Sequence, residues 1–146
     1  MKSAPSLDPI SATTPDPADL VPVVLAVTTE ATQAQAEQLA KALLERQLVA
    51  CVSLQPTKAL YHWQGAIAQA EEVQLLLKTD ARQLHALHQA VLELHSYDTP
   101  EWIWWPATSS GGYGQWLLAC LEPAGLRPDA GPPTPAGNPG GEVPTG

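Results

Sequence analysis

Three groups of residues in this 146-residue chain carry side chains able to do chemistry. His95 precedes Ser96-Tyr97-Asp98, and Glu101 follows Pro100. A neutral imidazole is a ligand suited to copper and zinc. Asp98 and Glu101 could add oxygens, but one histidine is not a site. The plainer role for His95, at the end of an expected helix, is a hydrogen bond to a loop carbonyl and a favourable interaction with the helix dipole. His85 and His88 are spaced i, i+3, which allows a metal pair on a helix surface. Two half-exposed residues flanking a core stripe is the plainer reading there. Glu71 and Glu72 are adjacent in an expected strand, so they point to opposite faces and do not form an acid–base pair. His62, between Tyr61 and Trp63, is explained by packing.

Nucleophilic catalysis finds little support. The chain has no G-x-S-x-G and no Gly-rich phosphate loop followed by Lys-Ser or Lys-Thr. A phosphatase on a small α/β fold needs an arginine in an anion-binding loop, and Val27 to Thr32 contains none. Cys51 and Cys120 lack C-x-x-C spacing, and they read as buried free thiols. Cys51 alternates with apolar residues and has no local base, so a thiolate is not expected. The chain is not expected to be an enzyme.

The elements that must position these residues centre on 49–79, which reads as two long strands. The first runs from about Val49 to Trp63, Gln64-Gly65 turns the chain, and the second runs from about Ala66 to Thr79. Val49, Cys51 and Ser53 alternate with Ala50, Val52 and Leu54, as a strand requires. Glycine at the second turn position can take the positive φ of a tight hairpin. Pro56 has no N–H to give, so it marks a bulge or an edge. Arms this long exceed the usual ~5–6 residues. An exposed edge needs covering, and a second subunit is one way to cover it.

Around the hairpin, Val23 to Thr28 reads as a buried strand. Thr32, with Gln35 three residues on, opens a helix that runs to about Gln47 with an apolar stripe of Ala36, Leu39, Ala40, Leu43 and Leu44. Asp80 caps a second helix, Ala81 to Leu94, with Leu84, Leu87, Val91 and Leu94 inward. Glu101 to Ala107 reads as a strand, with Trp102 and Trp104 on one face and Ile103 and Trp105 on the other. Ser109 to Gly112 turns into a short last helix with Tyr113, Trp116, Leu117 and Cys120 on its stripe. The order predicts an α+β fold, a ferredoxin-like βαββαβ sandwich with a long β-hairpin arm and a short C-terminal helix. One sheet face is expected under helices. The other, carrying tryptophans, is expected to be an oligomer interface.

Composition bounds the rest. Residues 1–22 hold five of the fifteen prolines, and residues 122–146 hold seven more with six of the ten glycines. Both ends are expected to be disordered, leaving one domain over 23–121. Net charge is −8, and residues 23–122 hold ten acids against five bases. A nucleic-acid partner is therefore not expected. No apolar run approaches the ~18 residues of a membrane span. The N-terminus shows no apolar signal region and holds Asp8, Asp16 and Asp19 against Lys2, so cytoplasm is the expected location.

Several stretches, in order and at matching spacing across 23–121, resemble the CutA family of divalent-cation tolerance proteins. They are Val27-Thr28-Thr29, Ala50-Cys51-Val52, Tyr61-x-Trp63-x-Gly65-x-Ile67, Glu72-Val73 with Leu77-Lys78-Thr79, and His95-x-Tyr97-x-x-Pro100-Glu101. The resemblance implies a homotrimer with PII-like architecture, in which the hairpins extend each other's sheets. It implies a role in divalent metal ion response, with copper as the possible cofactor and His95 as the metal ligand. Leu94, Val27 and Ser96 depart from it, standing where some members carry a histidine, a cysteine and a proline. Tyr61, Trp63, Lys78, Tyr97 and Glu101 all match family positions. By analogy with PII proteins they are candidates for an intersubunit cleft, and the alternative function is a sensor of a small anionic metabolite there. The plainer reading stacks the aromatics at the trimer interface and pairs Lys78 with a carboxylate such as Glu101.

Overall fold

The computed structural model describes Asp16 and residues 19–123. The disorder expected at the two ends lies almost wholly outside the described residues. Seven elements follow in order: β1 Leu20–Glu30, α1 Gln33–Glu45, β2 Cys51–Trp63, β3 Ala66–Thr79, α2 Leu84–Leu94, β4 Ile103–Ser110 and α3 Gly111–Cys120. The strands form one sheet in the order β2-β3-β1-β4, with every neighbouring pair antiparallel. This is the expected ferredoxin-like sandwich with its long hairpin and short last helix.

The hairpin is more regular than its sequence suggests. Pairing runs without a break from Cys51 opposite Lys78 to Trp63 opposite Ala66. Pro56 therefore makes no bulge. It is tolerated because β2 is an edge strand, where one row of N–H groups has no neighbour. Gln64 (φ 48°) and Gly65 (φ 77°) both have positive φ, the pattern of a type I′ turn, whose twist matches that of the strands.

Boundaries differ from expectation for identifiable reasons. β1 begins at Leu20, so Leu20, Val21 and Pro22 are strand rather than extension. They pair with β4, whereas pairing with β3 begins only at Val24. Pro22 thus sits where β1 has one neighbour and a missing N–H is harmless. Asp80 does cap, but one turn early: its Oδ1 accepts from the Gln83 N–H (3.1 Å), and α2 itself starts at Leu84. β4 starts at Ile103 and runs through Ser110 straight into α3, with no separate turn at 109–112. Trp102 falls outside the strand and stacks flat on His88, ring centres 4.9 Å apart.

α1 starts and ends by side-chain and backbone capping. Thr32 Oγ1 accepts from the Gln35 N–H (3.2 Å). At the other end Leu48 N–H bonds Leu43 O (3.1 Å) and Gln47 N–H bonds Leu44 O (3.0 Å). This is a Schellman motif with Gln47 at φ 59° in the place glycine usually takes. Leu44, expected in the core stripe, is 41% exposed.

The core lies in two parts. On one sheet face, Ala26, Leu75 and Leu77 pack under Leu39, Leu43, Leu87 and Val91 from α1 and α2. On the other, α3 brings Leu117, with Leu121 just beyond it, against Val21, Val23 and Ala50. The second face is therefore covered at one end, where it was expected to be open throughout. α3 comes so close that a Cβ on Gly114 would lie 2.5 Å from the Val21 Cβ. Trp104 and Trp105 face opposite sides, as their alternation predicts: register puts Trp104 opposite Ala26 and Trp105 opposite Leu25.

Candidate functional site

The sequence-predicted residues meet where the 95–102 loop folds back over the sheet. His95 follows the last turn of α2, and its N–H bonds Val91 O (2.9 Å). Its ring is nearly buried, and both nitrogens are engaged. Nε2 lies 2.6 Å from Thr29 O, and Nδ1 accepts the Tyr97 N–H at 2.9 Å. Those partners assign the neutral tautomer with the proton on Nε2. The carbonyl contact is the plainer role expected for His95, although the carbonyl belongs to β1 rather than to a loop.

Glu30, at the end of β1, stands beside this ring. Its Oε1 is 3.3 Å from His95 Nδ1, and its side chain is 2% exposed. Ser96 completes its surroundings, with Oγ donating to Oε1 and N–H reaching Oε2 at 3.4 Å. No lysine or arginine pairs with Glu30 among the described residues. A buried carboxylate without a cation is costly. The sequence reading overlooked Glu30. Its signal was phase: it continues the inward positions Val24, Ala26 and Thr28.

Next to this pair opens a cleft of about 660 Å³, lined among others by Tyr61, Trp63, Glu72, Tyr97, Thr99 and Glu101. Tyr61 and Trp63 come from β2, and Glu72 from β3. The loop supplies Tyr97, Thr99 and Glu101. The Tyr97 hydroxyl donates to Glu72 Oε1 (3.3 Å), and its ring lies 5.0 Å from that of His95. Burial first, then the charges of Glu72 and Glu30, push the Tyr97 phenol above its ordinary value. Four of the five expected cleft residues are thus brought together.

Lys78 is the exception. It projects from the base of β3 toward α3, donating to the Tyr113 hydroxyl (3.3 Å) with its ammonium 5.5 Å from that ring centre. It neither lines the cleft nor pairs with Glu101. Among the described residues no basic side chain lines the cleft, so they do not supply the feature that would have favoured an anionic metabolite. His88 stacks on Trp102, a packing contact of the plainer kind expected for it, while His85 is exposed. Among the described residues no group of three or more His, Cys, Asp or Glu side chains could hold a metal ion. Cys51 and Cys120 form no disulfide, and both are half-buried where full burial was expected.

Comparison with known proteins falls on this same domain. A family model described as CutA1 divalent ion tolerance protein matches residues 24–120. The divalent-cation tolerance protein CutA of Pectobacterium atrosepticum is 42% identical over 107 residues, covering 70% of this chain and 96% of the relative. Its Escherichia coli counterpart is 37% identical over 101 residues, covering 68% and 90%. Among solved structures, CutA from Synechococcus elongatus superposes with a TM-score of 0.69 at 40% identity, covering 71% of this chain and 96% of that one. The protein described as the periplasmic divalent cation tolerance protein CutA of Archaeoglobus fulgidus gives 0.66 at 30% identity, covering 68% and 99%.

Proposed function

The chain belongs to the CutA1 divalent ion tolerance family, and from that premise we propose that it is a non-catalytic homotrimer that responds to divalent metal ions by binding copper at His95. The observation that carries the reading is the buried Glu30 carboxylate, 3.3 Å from His95 Nδ1 and without a lysine or arginine partner among the described residues. A cation there would supply the missing charge. The donor set fits: an imidazole nitrogen beside a carboxylate oxygen suits Cu²⁺. Binding has a local cost, because Nδ1 must first release the Tyr97 N–H. His95 and Glu30 are two donors, so remaining positions fall to water or to a neighbouring subunit.

The trimer part of the reading is supported by the hairpin. Leu60 is 66% exposed, Trp63 61% and Ile67 75% in a single chain, which leaves apolar surface for another copy to cover.

Calorimetric titration of Cu²⁺ into the purified protein at neutral pH tests the metal part. Saturable binding at a fixed ratio per subunit is expected, abolished in His95→Ala and weakened in Glu30→Gln. Weak, non-saturating heat that both variants leave unchanged would rule it out.

A further inference from the structure

We propose that the cleft between the hairpin and the 95–102 loop binds a small organic cation, a quaternary ammonium ion or protonated amine. The site is separate from the His95–Glu30 pair, and the inference does not rest on the metal reading.

Three properties of the cleft point to this class. Its volume, about 660 Å³, is that of a site for a small organic molecule. Its chemistry is of one sign. Among the described residues, Glu72 and Glu101 are the charged ones lining it, with no lysine, arginine or histidine, so an anion is disfavoured. Its walls are aromatic. Tyr61, Trp63 and Tyr97 present three π-systems, whose negative faces attract cations, and rings around an ammonium group form a cage.

A bare metal ion fits the same cleft poorly. It needs several oxygen or nitrogen donors converging at short range. Among the described residues the cleft offers the carboxylates of Glu72 and Glu101 and no imidazole or thiolate, unlike the His95–Glu30 pair. An ammonium ion with carbon substituents is held instead by ring faces and a single carboxylate at longer range.

The cleft is also built into the strands. Tyr61 pairs with Ala68, Trp63 with Ala66 and Ala59 with Ala70, so these residues share one sheet face. The large rings of β2 thus stand beside alanines of β3, which leave the hollow open. Tyr97 donates to Glu72 Oε1 (3.3 Å). That bond fixes one carboxylate oxygen and leaves the other lone pairs for a ligand.

The test uses the full chain in its native oligomer and tetramethylammonium as the probe, with binding followed by tryptophan fluorescence and calorimetry. Saturable binding is expected. Trp63→Ala and Glu72→Gln should each weaken it by about tenfold or more, and Ala70→Leu should abolish it by filling the hollow. Trp63 is 61% exposed in the single chain, so its removal spares the core of each subunit, and sedimentation must first show that Trp63→Ala keeps the mass of the unsubstituted oligomer. Acetate at the same concentrations should not compete. Absence of saturation, equal binding by all three variants, or displacement by acetate would overturn the proposal. A parallel Cu²⁺ titration separates the two readings: Ala70→Leu should lose tetramethylammonium and keep Cu²⁺. Loss of both ligands in Ala70→Leu would contradict two separate sites.

Discussion

The two halves of the β2–β3 hairpin share one turn, one register and one composition class, yet they live in different solvents. Near its base, Val73, Leu75 and Leu77 alternate inward and are buried under α1 and α2. Toward the tip, Leu60 and Ile67 occupy the same side of the sheet by register and are two-thirds or more exposed. The helices end where the base ends, and none of the described residues covers Leu60 or Ile67 at the tip. Backbone pairing, complete to Trp63 opposite Ala66, holds the arm's shape. Its side chains await other surfaces. The cleft lies at the junction, where the loop rising from the base meets the arm.

The largest effect should come from the base. Leu75→Ala should cost about 2–5 kcal/mol, as for a fully buried leucine. Denaturant unfolding should show a lower midpoint at every protein concentration. Ile67→Ala in the arm should instead change how the midpoint depends on concentration, and a Leu75-sized loss that is independent of concentration would break the contrast. Next is the turn. Gly65→Ala places a Cβ at φ 77°, which should cost about 1–2 kcal/mol, read from the same curves.

Smaller is a gain at the base. The Thr28 hydroxyl is buried without a hydrogen-bond partner among the described residues, so Thr28→Val should raise stability by about 1 kcal/mol. Smallest is a titration at the junction. The Tyr97 phenol is pushed up by burial and then by Glu72. A raised folded value means that its contribution to stability is present below the ordinary phenol range and is lost as pH rises through the folded value. In Glu72→Gln, ultraviolet titration should find phenolate forming at lower pH than in the unsubstituted protein.

Much of this was legible in the residues. Alternation at 49–54, the Gln-Gly turn and the stripes of Leu39 and Leu43, then Leu87 and Val91, gave the strands, the hairpin and the two large helices. Of the two readings of Pro56, bulge or edge, the edge holds: β2 is an edge strand and its register runs through Pro56 unbroken, a choice that local sequence does not make. Trp102 was assigned to a strand because it alternates with Trp104, and its stacking on His88 is a tertiary contact without local signature. At the site, Tyr61, Trp63, Tyr97 and Glu101 were found because they belong to the hairpin and loop that meet. Lys78 was misplaced because position on a strand matters as much as face: it shares a face with Glu72 but lies six residues nearer the base, beside Tyr113. Glu30 was missed because an acid after an apolar strand reads as a solvated end.

The most direct test of the contrast between base and arm is the mass of the protein in solution, by sedimentation equilibrium, for the unsubstituted chain and for Ile67→Glu. Three copies are expected for the first. For the second a smaller, folded species is expected, because a charge at a position 75% exposed in the single chain harms only an interface. A single-chain mass for the unsubstituted protein, or an unchanged mass for Ile67→Glu, would overturn the contrast.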